Sequence, residues 1–337
     1  MNRELEKIAV VGAGTWGTAL ALTAAQEGRS VTLWVRSPGE AEVVRQTRHG
    51  IKSPMGRPLP PNVSVTHDWK DVAGADLALV VVPSVAMRSV ASQLATIGLP
   101  PHVPVVSCTK GIERDTHLRM SQILKASLPN PIGVLSGPNH AEDIFEGRPS
   151  ATLVGFENLE LADAVQRRLA TSSFRIYSST DLVSMELGGA IKNVFAIGAG
   201  ICEGLGLGDN AKAALVTRGL AEMTRIGLAN GGKAETFMGL SGMGDLIVTC
   251  FSKNSRNLRV GLAIAAGKSP EQAEADVGMV VEGIPNTLST YQIARKGNVR
   301  TPIVDVMHDI LYLGKSPIEA LNELMDRGLR AERIEDN

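Results

Sequence analysis

The segment Ile8-Ala9-Val10-Val11-Gly12-Ala13-Gly14-Thr15-Trp16-Gly17 joins an apolar run to the start of a helical stretch at 15–25 through a G-x-G-x-x-G pattern. In this context Gly12 permits a tight turn, Gly14 allows a pyrophosphate to approach the backbone, and Gly17 allows the helix to pack on the strand. A glycine turn without a ligand is the alternative, and the strand and helix around the pattern make it the weaker one. We therefore predict a dinucleotide site on a strand-turn-helix unit.

Short β-branched runs alternate with helical stretches through the rest of the first half. Such alternation predicts a parallel sheet with crossover helices. Because several runs are apolar throughout, both faces of the sheet should be covered, which indicates a doubly wound arrangement. Two further strands, separated by a helix at 159–170, would extend the sheet to 152–154 and 174–177. The earlier predicted strands are at 8–11, 31–35, 63–66, 77–82, 103–107 and 132–135.

The second half has a different pattern, because no segment after residue 181 is typical of a strand. At roughly 150 residues per domain, a chain of 337 residues suggests two domains. We predict an α/β protein with an N-terminal doubly wound Rossmann-type sheet at 1–185 and an all-helical C-terminal domain at 186–337. Apolar periodicity predicts helices at 181–202, 210–230, 254–266, 285–296 and 302–313.

Composition excludes several classes of protein. With 34 basic and 35 acidic residues the net charge is -1, so no overall field favours nucleic acid, and an anionic ligand must be held locally. The three cysteines form no CxxC pair, and no histidine has a ligand-like spacing, so we predict neither disulfides nor a metal site. The charged N-terminus lacks the layout of a secretory signal, and no run approaches the roughly 20 apolar residues of a membrane span. We therefore expect a cytoplasmic protein without membrane insertion.

Arg36 bears on the choice of cofactor. An acidic residue that binds the adenosine ribose is expected about 20 residues after the glycines. Here the predicted second strand ends in Val35 and is followed by Arg36 and Ser37. An arginine at this place can pair with a 2′-phosphate, although a solvated surface arginine is an equal alternative. The sequence thus predicts NADP or NAD and leaves the preference open.

Lys192 is the only formal charge between Glu186 and Glu203, in a helix that should be largely buried. Burial disfavours the charged form of a lysine, and a side chain that can gain or lose a proton suits the oxidation of an alcohol to a carbonyl. The alternative is a lysine that reaches solvent along an apolar surface. Glycines in this helix cost stability and imply a close approach of another group, which favours the first interpretation. They stand at 188, 189, 198 and 200.

Two polar segments follow. Residues 239–245 form a glycine-rich turn that presents Asp245, and Ser255-Arg256-Asn257 begins a helix. A helix start with a hydroxyl, a guanidinium and an amide is well suited to bind a phosphate. The alternative is an ordinary capped helix with solvated polar residues.

Taken together, these segments resemble the bacterial NAD(P)-dependent glycerol-3-phosphate dehydrogenases over nearly the whole chain. The resemblance rests on the order of the matching segments and not on any one of them. They are Gly12 to Gly17, Cys108-Thr109-Lys110-Gly111, Ser136-Gly137-Pro138-Asn139-His140-Ala141, 186–193, Gly208-Asp209-Asn210-Ala211-Lys212-Ala213-Ala214, 239–250, Ser255-Arg256-Asn257 and Val280-Val281-Glu282-Gly283.

The resemblance implies interconversion of sn-glycerol 3-phosphate and dihydroxyacetone phosphate by hydride transfer, with Lys192 as the proton acceptor. It also implies a homodimer that supplies glycerol 3-phosphate for phospholipid synthesis. The cofactor residues that it implies, beyond the three glycines, are Thr15, Trp16, Arg36, Lys110, Ala141, Arg256, Val280 and Glu282. The substrate residues that it implies are Lys110, Gly137, Asn139, Lys192, Asp245, Ser255, Arg256 and Asn257.

Two other functions stay open at this point. A related two-domain dehydrogenase could act on another hydroxy acid or phosphate, against which the phosphate-binding pattern at 255–257 argues. A non-catalytic dinucleotide sensor could use the same fold without chemistry, against which the presence of both Lys192 and Asp245 argues.

Overall fold

The structure is a computed structural model that describes residues 5–51 and 57–328; the first four residues of the charged N-terminus lie outside this range. Backbone contacts divide the chain into two compact units. The first contains Met1–Thr109 and Met120–Leu182, and the second contains Lys110–Arg119 and Val183–Asn337. The ranges predicted from sequence, 1–185 and 186–337, are continuous, whereas this division is not.

The first unit is built on an 8-stranded sheet of order β3-β2-β1-β4-β5-β6-β7-β8. The order reverses beside β1, and in open α/β sheets such a switch point is where ligands bind, at the carboxyl ends of the strands. The predicted strands are all present. Their bounds are β1 (Lys7–Val11), β2 (Ser30–Trp34), β3 (Val63–Thr66), β4 (Leu77–Val80), β5 (Val105–Ser107), β6 (Ile132–Ser136), β7 (Ser150–Phe156) and β8 (Phe174–Ser179).

One strand pair departs from the predicted parallel sheet. β6 and β7 are antiparallel, while every other neighbouring pair is parallel. The connection between them contains only a short helix, α5, so the chain does not cross the sheet and returns from the same edge. The helices of this unit are α1 (Thr15–Ala24), α2 (Pro38–Thr47), α3 (Met87–Thr96), α4 (Met120–Ser127), α5 (Ala141–Phe145) and α6 (Leu159–Leu169), with short turns of 3-10 helix at Gln26–Gly28, Trp69–Asp71 and Ser84–Ala86.

Beyond residue 182, the described residues of the second unit contain helices and no strand, whereas its segment Lys110–Arg119 contains no helix. All five helices predicted from sequence are present, and the described residues of this part of the chain contain four more. The predicted glycine-rich turn at 239–245 is instead a wide helical turn, Leu240–Gly244, that leads directly into α10. The bounds are α7 (Leu182–Gly204), α8 (Gly208–Ala229), α9 (Ala234–Phe237), α10 (Asp245–Phe251), α11 (Arg256–Ala265), α12 (Pro270–Val277), α13 (Gly283–Lys296), α14 (Pro302–Tyr312) and α15 (Pro317–Met325).

Helix α7 runs through the core of this unit. Contrary to the expectation from sequence, it is long and apolar enough to cross a membrane, but 89% of its most apolar window is buried in the fold, as in the core helix of a soluble protein. Its glycines permit close contacts: a Cβ added at Gly200 would lie 2.1 Å from the carbonyl oxygen of Leu258, and one at Gly188 would lie 2.6 Å from that of Ser241. The close approach predicted from these two glycines is therefore confirmed.

Candidate functional site

The turn between β1 and α1 has the geometry that dinucleotide binding needs. Gly12 has a φ of 116°, and an added Cβ would lie 2.2 Å from the carbonyl oxygen of Val81. A Cβ on Gly17 would lie 1.8 Å from the oxygen of Gly12, so both positions exclude a side chain. A Cβ on Gly14 meets nothing within 4 Å, which leaves open space at the place where a pyrophosphate would approach.

The start of α1 is also suited to an anion. No side chain caps it, so the helix N-terminus presents its amides and its positive dipole end. Trp16 packs beside a small buried cluster that contains Ala19, Ala141 and Phe145, which brings the two predicted cofactor residues Trp16 and Ala141 together. The indole nitrogen of Trp16 is buried and has no protein partner in the described structure.

Arg36 lies directly after β2 and is exposed. Ser37 caps α2, because its hydroxyl accepts a hydrogen bond from the Glu40 amide at 3.1 Å. No carboxylate stands between the end of β2 and this cap. The arrangement fits a ribose that carries a 2′-phosphate, and it offers no acidic group for a free 2′-hydroxyl at these positions.

The segment after β6 places Gly137 and Asn139 against β7. Asn139 donates a hydrogen bond from Nδ2 to the Thr152 hydroxyl at 3.1 Å, while its Oδ1 is buried without a protein partner among the described residues. A Cβ on Gly137 would lie 2.7 Å from the same hydroxyl. Thr152 is fully buried and was missed by the sequence analysis, since nothing in its strand pattern sets it apart.

In the second unit, the Asp245 carboxylate forms ion pairs with two lysine ammonium groups. Lys192 Nζ lies 3.0 Å from Oδ1 and Lys110 Nζ lies 2.6 Å from Oδ2. Lys192 also donates a hydrogen bond to the Thr249 hydroxyl at 2.5 Å. The Lys192 and Asp245 side chains are 6% and 1% exposed, so the expected burial of Lys192 is confirmed and the solvent-reaching alternative is excluded.

The proton affinity of Lys192 follows from these surroundings. The pKa of Lys192 is lowered to about 8 chiefly by burial; Asp245 opposes this shift, and the nearby Lys110 ammonium adds to it. The neighbouring Cys250 thiol has its pKa raised to about 12 by burial, so it stays neutral near pH 7. Lys192 is therefore able to exchange a proton near neutral pH.

Thr249 completes this cluster and is not among the residues predicted from sequence. Its hydroxyl donates to the Asp245 carbonyl at 2.6 Å, one helical turn earlier, and so presents its lone pairs to Lys192. The i,i+4 spacing on α10 was the available signal, and it was hidden because residues 239–245 were interpreted as a turn. The turn can pack against α7 because Gly188 lacks a side chain at that contact.

The start of α11 is tied to two other elements. The Ser255 hydroxyl caps the helix by accepting a hydrogen bond from the Leu258 amide at 3.3 Å. Asn257 donates from Nδ2 to Asn193 Oδ1 at 2.9 Å and accepts at Oδ1 from the Gly283 amide at 3.0 Å. Because Asn193 follows Lys192 directly, these bonds place the start of α11 beside the lysine cluster. Asn193, like Thr152 and Thr249, is not among the site residues predicted from sequence.

Arg256 is exposed and donates a hydrogen bond to the Val280 carbonyl at 2.6 Å. Glu282 is half-buried and stands at the N-cap position of α13. The second unit thus contains the site residues that were predicted in its own part of the chain. They are Lys110, Lys192, Asp245, Ser255, Arg256, Asn257, Val280 and Glu282. Within residues 5–51 and 57–328, no three His, Cys, Asp or Glu side chains are grouped as a metal site would require.

Comparisons with known proteins agree along the chain. The sequence model of the NAD-dependent glycerol-3-phosphate dehydrogenase N-terminus matches residues 7–162, and that of the C-terminus matches residues 181–322. A glycerol-3-phosphate dehydrogenase (NAD(P)+) of Thermoanaerobacter sp. strain X514 is 43% identical over 327 residues, which is 97% of this chain and 98% of that protein. The protein of the same name from Geobacter sulfurreducens is 44% identical over 333 residues, 97% of this chain and 99% of its own length.

Solved structures give the same result for the fold. Glycerol-3-phosphate dehydrogenase from Coxiella burnetii matches with a TM-score of 0.91 at 34% identity, covering 96% of this chain and 99% of that one. A PanE/ApbA family ketopantoate reductase from Ralstonia eutropha JMP134 matches with a TM-score of 0.60 at 18% identity, covering 94% of this chain and 99% of that one. At that identity the second similarity concerns the fold alone.

Proposed function

Since the chain belongs to the NAD-dependent glycerol-3-phosphate dehydrogenase family, we propose a role in that reaction for each group of side chains described above. The enzyme interconverts sn-glycerol 3-phosphate and dihydroxyacetone phosphate with NAD(P) as the hydride carrier. A non-catalytic sensor and a dehydrogenase of another hydroxy compound are therefore set aside. The observation that carries the proposal for the chemistry is the buried Lys192 ammonium held between Asp245 and Thr249.

Lys192 is the proton acceptor and donor. Oxidation of the alcohol requires its hydroxyl proton to leave as the hydride departs, and reduction of the ketone requires the same proton to return. Asp245 and the Thr249 hydroxyl hold Nζ in one position, so the amine needs no reorganisation before the transfer. Lys110 shares the Asp245 carboxylate and supplies a second positive charge that stabilises a developing alkoxide.

The start of α11 binds the phosphate of the substrate. Ser255, Arg256 and Asn257 place a hydroxyl, a guanidinium and an amide at a helix N-terminus, where an anion is stabilised by the helix dipole. The bond from Asn257 to Asn193 sets the distance between this phosphate site and Lys192. The phosphate can therefore orient the three-carbon chain so that its C2 oxygen reaches the amine.

Arg256→Ala tests the phosphate role. We expect kcat/KM for dihydroxyacetone phosphate to fall about 100-fold, because a charge-assisted hydrogen bond of about 2–3 kcal/mol is lost. Unphosphorylated dihydroxyacetone should be reduced within about threefold of the wild-type rate. Initial rates on both substrates measure this. Arg259→Ala, which removes an exposed arginine one turn later in α11, is the matched control. Equal losses on the two substrates would contradict the assignment.

The pH dependence of both directions follows from the pKa of Lys192, which is about 8. The amine must be neutral to accept the alcohol proton, so kcat/KM for glycerol 3-phosphate should rise with pH and level off above about 8. The amine must be protonated to serve the ketone, so kcat/KM for dihydroxyacetone phosphate should be level below about 8 and fall tenfold per unit above it. Paired pH profiles measure this, and a reduction profile that stays level up to pH 10 would contradict it.

Arg36 contacts the adenosine ribose of the cofactor. Its position after β2, in place of an acidic residue, supports binding of a 2′-phosphate, so NADPH is accepted as well as NADH. Gly12, Gly14, Thr15, Trp16, Gly17 and Ala141 form the pyrophosphate and nicotinamide side of the same site. Side-by-side initial rates with NADH and NADPH on dihydroxyacetone phosphate measure the preference.

The cellular setting is part of the same proposal. The resemblance to bacterial members supports a cytoplasmic homodimer that supplies glycerol 3-phosphate for phospholipid synthesis. Light scattering coupled to gel filtration measures the mass of the assembly against the 35.6 kDa chain. A monomeric mass at micromolar concentration would remove the dimer from this proposal and leave the chemistry untouched.

A further inference from the structure

The segment Lys110–Arg119 is an excursion from the first unit that groups with the second. It doubles back on itself: Ile112 and Arg119 form an antiparallel bridge, and the Glu113 amide donates to the Leu118 carbonyl at 3.0 Å. Ile112 is 2% exposed and belongs to the apolar core of the second unit. The two ends of this hairpin-like segment are therefore held in one register.

Charged side chains hold both ends of the segment to helices of the second unit. Lys110, at the first end, pairs with Asp245 on α10. Arg119, at the other end, pairs with Glu186 on α7 through Nη1 and Oε2. The Glu186 side chain is 2% exposed and that of Arg119 is 18% exposed, so this pair is almost as buried as the lysine cluster.

Glu186 is the last charged residue before Lys192 on α7, and the chemistry proposed above does not use it. A buried carboxylate is costly unless a cation compensates it, and removal of one partner leaves the other charge uncompensated. The pair thus ties the position of Arg119 strongly to α7. The bridge between Arg119 and Ile112 transmits that position toward Lys110, two residues before Ile112 in the sequence.

We propose that Arg119 and Glu186 are positioning residues for the reaction, because their ion pair fixes the segment Lys110–Arg119 in the register that keeps the Lys110 ammonium on Asp245. This inference rests on the proposed function, in which Asp245 and Lys192 carry the proton transfer. Neither Arg119 nor Glu186 is assigned a contact with the substrate or the cofactor. Their effect reaches the amine through Lys110.

Loss of the ion pair between Arg119 and Glu186 should change the pKa of Lys192 in one direction. The charge state of Lys192 depends on its burial and on three neighbouring groups, which are Asp245 and Cys250 on α10 and Lys110. Lys110 lowers the pKa of Lys192, so a segment that drifts and withdraws the Lys110 ammonium should raise that pKa above about 8. Glu186→Gln should therefore move the falling limb of the reduction profile to higher pH.

Glu186→Gln tests this directly. We expect the falling part of the pH profile of kcat/KM for dihydroxyacetone phosphate to shift about one unit toward higher pH, since one nearby positive charge is withdrawn. We also expect kcat/KM at pH 7 to fall about tenfold, because Lys110 leaves the site. Arg119→Gln should give the same shift, and the double variant should add nothing to it. Arg119→Lys keeps a cation on Glu186 and should restore the wild-type profile. Asp276→Asn, which breaks the exposed pair of Asp276 with Lys268 in the same unit, is the control.

The outcomes separate the inference from the function on which it rests. Suppose that Lys192→Met abolishes turnover and that a folded Glu186→Gln variant keeps both the wild-type rate and the wild-type pH profile of reduction. The positioning role is then wrong. If Lys192→Met keeps the wild-type rate and limb, the assignment of the proton carrier itself is wrong. Should Glu186→Gln not fold, the comparison of Arg119→Gln with Arg119→Lys decides the question, because both retain the Glu186 carboxylate. If the ion pair had a purely structural role, both variants would have a lower melting temperature, and their pH profiles of reduction would be unchanged.

Discussion

Lys192→Met is expected to lower kcat in both directions about 10³-fold while the protein stays folded and binds NADPH as tightly as the wild type. Methionine is unbranched and apolar, so it fills the buried position of the lysine and removes only the group that exchanges the proton. The neighbouring Cys250 thiol cannot replace the amine as proton acceptor, because burial raises its pKa to about 12. Initial rates and cofactor titration by fluorescence measure the two parts of this result.

Lys212→Met is the matched control for this variant. Lys212 is also a buried lysine of the second unit, 8% exposed, and its ammonium pairs at 2.7 Å with Glu203, a residue that is not assigned to the reaction. It should keep a kcat within about threefold of the wild type, because Lys212 is assigned no part in the proton transfer. A Lys192→Met enzyme with more than a tenth of the wild-type kcat would show that another group carries the proton.

Asp245→Asn has the second largest expected effect. The substitution removes the only carboxylate that Lys110 and Lys192 are described as sharing, and leaves the shape of the side chain unchanged. Because Asp245 raises the pKa of Lys192, its loss should lower that pKa below about 8, and the limb of the reduction profile should move to lower pH. We expect kcat/KM to fall about 100-fold at pH 8, by the same factor in both directions, since the equilibrium constant is unchanged.

The stability of the Asp245→Asn variant provides a second measurement. Loss of charge-assisted bonds at a buried site should lower the free energy of unfolding by about 2 kcal/mol, measured by urea titration at pH 7. Glu186→Gln and Asp245→Asn shift the pH limb in opposite directions, which distinguishes loss of a distant cation from loss of the adjacent anion. A limb of Asp245→Asn that stays near pH 8 would contradict the place of Asp245 in the cluster.

The fold could be predicted from the sequence because its signals are local. The β1 to α1 turn carries its glycines within one short stretch, and the strands are continuous apolar runs whose period is unambiguous. The antiparallel pair β6 and β7 could not be predicted, because its direction depends on the path of a connection and not on the strands themselves. Helix α10 was missed since Gly239, Gly242 and Gly244 suggest a turn, whereas contacts with Phe237 and α7 wind the segment into a helix.

The burial of Lys192 was likewise predictable, because a single charge in a long apolar helix is visible in the sequence. Its partners were less so. Asp245 was singled out by residue type, but the pairing of its two oxygens with Lys110 and Lys192 joins residues far apart in the chain. Thr249 and Asn193 have ordinary polar side chains whose importance depends on the hydrogen bonds to Lys192 and Asn257. Such pairings are tertiary, and periodicity carries no information about them.

The interruption of the first unit by the segment Lys110–Arg119 also bears on how the polypeptide is synthesised. A nascent chain that has left the ribosome as far as residue 182 contains all of the sheet, but the segment that belongs with the second unit must wait for α7 and α10 to be translated. Cutting the gene at residue 182 would therefore separate a core isoleucine, Ile112, and the lysine that pairs with Asp245 from the half that contains their partners. Two co-expressed fragments divided at this point should therefore yield little folded, active protein. A circular permutant with its new termini at another place in the chain should yield more.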